Sequence, residues 1–431
     1  MDTGIGFNEK YETINRAPEK AVLVGLSSDV LGPGESATEL SMAELEALLE
    51  TAGGVSCGVV MQNRAAPDPR SFIGAGKVTE VKELLSAQGA EMVVFDNDLS
   101  PSQMRVLSEE LGVKVLDRSG LILDIFAGRA KTREGRLQVE LAQYKYLLPR
   151  LVGMWTHLVR QTASGGSRIG TRGPGETQLE SDRRHIHRKI DALEAELEEV
   201  RRVRGTQRRL REKNSVFTVA LVGYTNAGKS TLLNALTDSD IQTGDRLFDT
   251  LDTTTRRLRL DETLEVLLSD TVGFISKLPH QLVEAFKATL EELSYADLLL
   301  HVIDASNPNY REQAEVVNAL ITELGAEKTP RIEVYNKCDK AGADELFTDS
   351  DAVKVSAKTG EGLDELKARI FGVLSAGTKT LELLIPYDKG GVLDLIHKNC
   401  RILETNYAED GISLKLVCPA RIYSSVKDFV K

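Results

Sequence analysis

The chain has 431 residues, is 41% hydrophobic and 28% charged, and carries a formal net charge of −11. Those values exclude a disordered polyelectrolyte and leave room for about three soluble domains with separate cores. The acidic average argues against nucleic acid as a partner of the whole surface, yet residues 129–213 hold 20 Lys+Arg against 11 Asp+Glu. A local excess of +9, against −20 elsewhere, is the mark of one anionic partner on an otherwise acidic body.

The first ten residues lack a basic region followed by an apolar stretch, and no segment approaches the length of a membrane span. A cytoplasmic protein without a membrane span is therefore expected, with a monomer as the working state. Cys57, Cys338, Cys400 and Cys418 lack C-x-x-C spacing, which argues against a disulfide framework and a zinc site. From 19 to 128, apolar runs at 21–26, 55–61, 92–95 and 113–116 alternate with helical patterns at 41–52, 77–88 and 101–111. This β-α-β spacing predicts a small parallel sheet covered by helices. Within it, Ile73-Gly74-Ala75-Gly76-Lys77 imitates a phosphate loop, but the motif's first glycine falls on Ser71; a turn starting a helix is the competing reading.

From Glu134 the period changes. Leu137, Leu141, Tyr144, Leu148 and Leu151 step by four and three, and Ile186, Ile190, Leu193, Leu197 and Val200 repeat the pattern, so two heptad seams are expected to bury each other in a helical hairpin. His185 and His187 sit two apart on the second helix, where they point away from each other, as on a solvated basic face. The connection at 164–175 holds five glycines with Arg168 and Arg172; it reads either as a plain linker or as a loop able to wrap a phosphate backbone. Trp155, the lone tryptophan, stacks on a base or caps the hairpin core.

The chemistry concentrates in 214–376. Gly223-Tyr224-Thr225-Asn226-Ala227-Gly228-Lys229-Ser230 is a complete G-x-x-x-x-G-K-[ST] loop between an apolar run at 217–222 and the helical pattern that Thr231 opens. Its backbone N–H groups curl around an anion, Lys229 neutralises the β- and γ-phosphates, and the Ser230 hydroxyl holds Mg²⁺. Asp270-Thr271-Val272-Gly273 ends the next apolar strand, where the carboxylate reaches Mg²⁺ through water and Gly273 offers its N–H to the γ-phosphate. Asn336-Lys337-Cys338-Asp339 supplies the base reader: the Asp339 carboxylate can accept two hydrogen bonds from guanine, a pair adenine does not offer. Ser356-Ala357-Lys358 closes that pocket. Strands are expected near 217–222, 256–260, 264–269, 298–303, 331–335 and 353–355, with the ligand loops at their carboxyl ends.

Between loop and Asp270, the stretch from Phe248 to Arg256 is the place for a threonine that senses the γ-phosphate. Thr250 is one candidate, while Thr253, Thr254 and Thr255 also read as β-prone residues entering a strand. Phe274 stands where many GTPases place a glutamine that orients water, so slow intrinsic hydrolysis completed by a partner is expected. After Gly377 a small unit follows, with strands near 381–385, 402–407 and 412–417, helices at 392–398 and at the end, and no chemical cluster. The division is thus 1–128, 129–213, 214–376 and 377–431, an α/β multidomain chain.

With these signatures placed, the chain resembles the HflX family of translation-associated GTPases, near the Obg group, over nearly its whole length. The stretch 248–256 is similar to the family's second GTPase motif. That likeness makes Thr250 the switch Mg²⁺ ligand and brings Phe248, Asp249, Leu251 and Asp252 to the nucleotide, although Thr253 replaces a proline expected in relatives. The segment 164–180 looks like the family's glycine-rich segment, and Arg118-Ser119-Gly120-Leu121 begins a stretch like the end of its N-terminal domain. The resemblance implies binding of GTP and GDP with Mg²⁺, GTP-dependent association with the large ribosomal subunit and its rRNA, and splitting of stalled or idle ribosomes. Two other readings compete: a tRNA-modifying GTPase, which the absence of a terminal reactive-cysteine motif disfavours, and an RNA-binding scaffold that holds nucleotide with little turnover.

Overall fold

The computed structural model describes residues 18–32, 34–151, 174–213, 217–237, 247–248, 254–261, 264–279, 282, 284, 286, 291–340, 352–375 and 378–430. Asp249, Thr250, Leu251, Asp252 and Thr253, Trp155 and the loop 164–173 lie outside them. The chain divides into two compact units, Met1–Ile122 and Leu123–Lys431.

The first unit alternates β1 (Lys20–Ser27), α1 (Glu39–Thr51), β2 (Val55–Asn63), α2 (Ala75–Gln88), β3 (Met92–Phe95), α3 (Pro101–Leu111) and β4 (Lys114–Asp117). The strands run parallel in the order β2-β1-β3-β4. Helix starts follow local chemistry: Thr38 and Ser41 form a reciprocal capping box ahead of α1, and Ser100 and Gln103 do the same ahead of α3, with Pro101 in its first turn. Gly74 opens α2 and donates its N–H to Gln62, so the glycine-rich stretch 73–77 is a helix start here, with Lys77 paired to Glu80. Val22, Val24, Leu26, Val93 and Phe95 make the core. Beside it, buried Arg118 donates to Asp96 at 2.8 Å and to Glu44.

The second unit begins within α4 (Arg118–Arg129) and continues through α5 (Arg133–Leu147) and the long α6 (Pro174–Lys213). Leu137 and Leu141 pack against Ile190, Leu193 and Leu197, flanked by Tyr144, Leu148 and Ile186, so the two seams do bury each other. Outward-facing Arg–Glu pairs such as Arg133–Glu196 and Arg202–Glu199 keep the other faces wet. His185 and His187 are exposed.

Next come β5 (Phe217–Gly223), α7 (Lys229–Thr237), β6 (Thr254–Arg259), β7 (Glu265–Asp270), β8 (Leu298–Asp304), α8 (Tyr310–Glu323), β9 (Arg331–Asn336), β10 (Val353–Lys354) and α9 (Leu363–Ser375). The sheet order is β10-β9-β8-β5-β7-β6, with β6 antiparallel to β7 and the other pairings parallel. Thr254 and Thr255 enter β6, as their β-branching favours. The unit ends in β11 (Thr378–Ile385), α10 (Gly390–Asn399), β12 (Arg401–Ala408), β13 (Gly411–Pro419) and α11 (Ala420–Val426). Its antiparallel sheet, β11-β13-β12, joins α10 and α11 in a core of Leu383, Ile385, Ile396, Leu414, Leu416, Cys418, Ile422 and Val426. Among the described residues no helix is long and apolar enough to cross a membrane.

His301, in the middle of β8, is buried with neither ring nitrogen hydrogen-bonded among the described residues. Burial, with the charges of Arg331 and Lys229 adding to it, holds its pKa down at about 3 against an ordinary 6.5. The unfolded chain therefore accepts a proton near pH 6.5 that the folded chain refuses until about pH 3. Stability is full above that upper value and is lost through the window below it, by about 1.4 kcal/mol per pH unit at most. In denaturant titrations, His301→Leu should remove this slope, leaving the variant relatively more stable than wild type by about 2 kcal/mol at pH 5 compared with pH 7.5. Parallel pH dependence of the two proteins would contradict it.

Candidate nucleotide-binding site

Four motifs expected from sequence meet at the carboxyl ends of β5, β7, β9 and β10, where an open α/β sheet places its ligands. The loop between β5 and α7 is shaped by three constraints. A Cβ on Gly223 would sit 2.3 Å from the Val302 carbonyl oxygen, so only glycine passes beside β8. Asn226 and Gly228 take left-handed φ values of 60° and 89°, which turn the backbone N–H groups inward. Asn336 then clamps the loop, donating from Nδ2 to the Ala227 carbonyl at 2.9 Å and accepting from the Ala357 N–H at 3.0 Å. One side chain thus ties the phosphate loop, β9 and the 356–358 loop together.

Lys229 is buried in this cradle and donates from Nζ to the carbonyls of Gly223 and Tyr224 at 3.0 and 2.8 Å. Burial pushes its ammonium down to about 8; Asp270 opposes that shift and Lys337 adds to it. The Ser230 hydroxyl donates to Asp270 Oδ2 at 2.5 Å, which joins the start of α7 to the end of β7. This all-oxygen set, a hydroxyl beside a carboxylate, suits Mg²⁺, a hard cation that favours oxygen ligands. Thr231 is half-buried one residue on, and Val272 is buried.

The segment after Asp270 lies directly on the loop. Thr271 Oγ1 donates to the Leu221 carbonyl at 2.6 Å. Tyr224 and Phe274 form an isolated parallel bridge, with Thr225 N–H to Phe274 O at 2.6 Å and Phe274 N–H to Gly223 O at 3.1 Å. The Tyr224 hydroxyl accepts from the Ser276 N–H. Gly273 has no room for a side chain: a Cβ there would stand 2.9 Å from Thr225 Cα and 3.1 Å from Lys229 Nζ. Phe274 is buried, so its ring is occupied in packing and its backbone in the loop.

Phe248 is the described end of the switch stretch. It is buried at a left-handed φ of 58°, a conformation bulky side chains avoid, with its N–H bonded to Thr225 Oγ1 at 3.0 Å. Its ring meets Phe126 of α4 edge to face at 4.6 Å, and Phe126 meets Phe286 at 5.5 Å. Sequence reading missed Phe126, which lies more than a hundred residues away with only an apolar helical pattern around it.

On the base side, exposed Asp339 accepts from the Ser356 hydroxyl at 2.7 Å, the main cause of its lowered carboxyl pKa; Lys358 and Lys340 assist. The carboxylate is therefore ionised and open to an incoming donor pair. Lys337, at φ 65°, sends Nζ to the Asn226 carbonyl and to Asp304 Oδ2, both at 2.7 Å. Cys338 is half-buried, with burial raising its thiol pKa and its Sγ bonded to the Tyr335 carbonyl. Asp304 was not anticipated; its position at the end of β8, followed by Ser306 bonded back to it, is the signal that marks it.

A glycine cradle around a buried lysine, a serine hydroxyl beside a carboxylate and an ionised carboxylate just past the end of β9 fit a P-loop protein of the GTPase class. Known families match in three stretches: one described as GTP-binding GTPase N-terminal at 39–127, one as GTP-binding GTPase Middle Region at 129–211, and one as 50S ribosome-binding GTPase at 218–337. GTPase HflX of Caldanaerobacter subterraneus is 46% identical over 99% of this chain and 97% of its own, and GTPase HflX of Lacrimispora saccharolytica is 48% identical over 95% and 96%. A crystal structure of a GTP-binding protein from Sulfolobus solfataricus with GDP covers 82% of this chain and 98% of its own, at 24% identity and a TM-score of 0.43. The chain belongs to the GTPase HflX family, and it is a GTP-binding protein that hydrolyses GTP.

Two outcomes test the site. Asp339→Asn exchanges an acceptor for a donor and should move preference from GTP to xanthosine triphosphate in competition binding; unchanged preference would contradict the base reader. Lys229 is largely neutral above pH 8 in the nucleotide-free chain, and a triphosphate would restore its charge. Binding at pH 8.5 should therefore take up about half a proton or more, with affinity falling as pH rises through 8. Calorimetry in buffers of different ionisation enthalpy reads this directly. Lys229→Ala should lose the uptake and about 2–4 kcal/mol of affinity.

Proposed function

We propose that the chain couples GTP binding and hydrolysis to association with the large ribosomal subunit, and that it splits or rescues stalled or idle ribosomes. In this reading Gly223 to Thr231 hold the phosphates, Asp270 to Gly273 sense the third one, and Asn336 to Asp339 with Ser356 to Lys358 select guanine. Ser230 and Thr250, with Phe248 to Asp252 around them, complete the Mg²⁺ site; the bound ion would withdraw charge from the β- and γ-phosphates. The division into 1–128, 129–213, 214–376 and 377–431 assigns rRNA contact to the second part, and a cytoplasmic monomer fits the whole.

The observation that carries the reading is the joining of one basic arm to the switch region. The stretch 129–213 holds the chain's positive excess, and α4, which ends where that stretch begins, packs Phe126 against Phe248 and Phe286. An rRNA-binding role for that stretch would put the partner one element from the proposed γ-phosphate sensor, and the Phe126–Phe248 contact supports this reading. The description 50S ribosome-binding GTPase for the family matching 218–337 supports the same partner. Phe274, engaged in packing and in the loop, presents no polar group to a water, so hydrolysis is slow until the ribosome supplies one.

Single-turnover GTP hydrolysis should accelerate by at least tenfold on addition of large subunits and not of small ones, and pelleting with large subunits under a non-hydrolysable GTP analogue should weaken steeply with salt. Deleting 164–175 should abolish pelleting while sparing nucleotide affinity. Equal hydrolysis with and without large subunits, alongside normal GTP binding, would contradict the proposal.

A further inference from the structure

The cysteines look scattered in sequence, yet the fold brings two of them together in the C-terminal part of the second unit. Cys400 ends α10 and precedes β12, and Cys418 lies on β13. Arg401 pairs with Val417 as the last rung of the antiparallel ladder, and continuing that register by one residue sets Cys400 opposite Cys418. Cys418 is buried in the core and Cys400, half-buried, packs against it. The two thiols act on each other: Cys400 is the chief influence holding Cys418 below the usual thiol range, and Cys418, with burial, lifts Cys400 well above it.

We propose that Cys400 and Cys418 form an oxidisable dithiol site, closed to an intramolecular disulfide by hydrogen peroxide and reopened by a dithiol reductant. Loss of one proton leaves a thiolate in contact with an S–H group, and half-buried Cys400 gives a small oxidant its route to the pair. The thiolate sulfur attacks one peroxide oxygen, the O–O bond breaks, and a sulfenic acid and hydroxide form; the hydroxide takes the released proton. The second sulfur attacks the sulfenic sulfur, the S–O bond breaks, and the departing hydroxide leaves as water with the second thiol proton. Two thiols are oxidised by two electrons, and one peroxide is reduced to two waters.

The bridge would close the β12–β13 hairpin at the end opposite its turn at Glu409 and Asp410, fixing the end of α10 to the strand that leads into α11. A segment so clamped loses freedom in the unfolded chain, so oxidation raises the thermal midpoint of this part. The site is independent of the nucleotide pocket and of the ribosomal reading.

The test uses the full chain, treated with hydrogen peroxide, blocked with an alkylating reagent and mapped by mass spectrometry without reduction. The expected result is one linked peptide pair containing Cys400 and Cys418, lost on treatment with dithiothreitol, while Cys57 and Cys338 remain outside any bridge. Oxidation should raise the last thermal transition of the wild type by several degrees and leave Cys400→Ser unmoved. If Cys400 reaches sulfinic acid with Cys418 still alkylatable, or if both stay alkylatable at peroxide doses that oxidise Cys57, the site is not a disulfide couple.

Discussion

A buried ammonium bonded to the carbonyls of its own loop organises the whole nucleotide end of the molecule. Lys229 reaches back across the cradle to Gly223 and Tyr224, and its surroundings, burial foremost, oppose its charge by about 3 kcal/mol net, the equivalent of the fall from 10.5 to about 8. The nearby Asp270 carboxylate keeps that fall smaller than burial would otherwise make it. A triphosphate offers more negative charge and better-placed oxygens than two carbonyls, so the lysine is poised to exchange partners when nucleotide arrives. The same loop geometry that admits an anion also carries a cation waiting for it.

What surrounds the lysine ties recognition to movement. The Tyr224–Phe274 bridge, made by backbone groups, and the hydrogen bond from the Phe248 N–H to the Thr225 side chain attach both switch stretches to the phosphate loop. Phe248 holds a strained left-handed backbone only because its ring is gripped by Phe126 and its N–H by Thr225. In the proposed function, a rearrangement that carries Thr250 toward Mg²⁺ would pull on Phe248, two positions away, whose ring packs against Phe126 of α4.

Periodicity and loop chemistry made much of this legible before any coordinates. The strand, glycine loop and helix around 217–237, the paired heptads and the three strands of the C-terminal unit all follow from local residue order. What sequence could not show depends on register and long-range approach. Cys400 and Cys418 meet because the β12–β13 ladder, with its irregularity between Ile402 and Glu404, brings them level. Spacing rules for disulfides and zinc do not see a cross-strand pair. Phe126 and Phe248 are joined by tertiary packing alone, and the ion pair of Lys337 with Asp304 depends on β8 and β9 lying side by side. His301 was equally silent: within a run of leucines and valines it reads as one more core position, and only burial without a partner sets it apart.

The central claim is that these four stretches form one pocket selective for guanine nucleotide. Calorimetric titration of the full chain with GDP and with ADP, both with Mg²⁺, tests it most directly. The account predicts saturable GDP binding at a single site and ADP binding weaker by at least a hundredfold. Equal affinity for the two nucleotides, or no heat from GDP on folded protein, would contradict it.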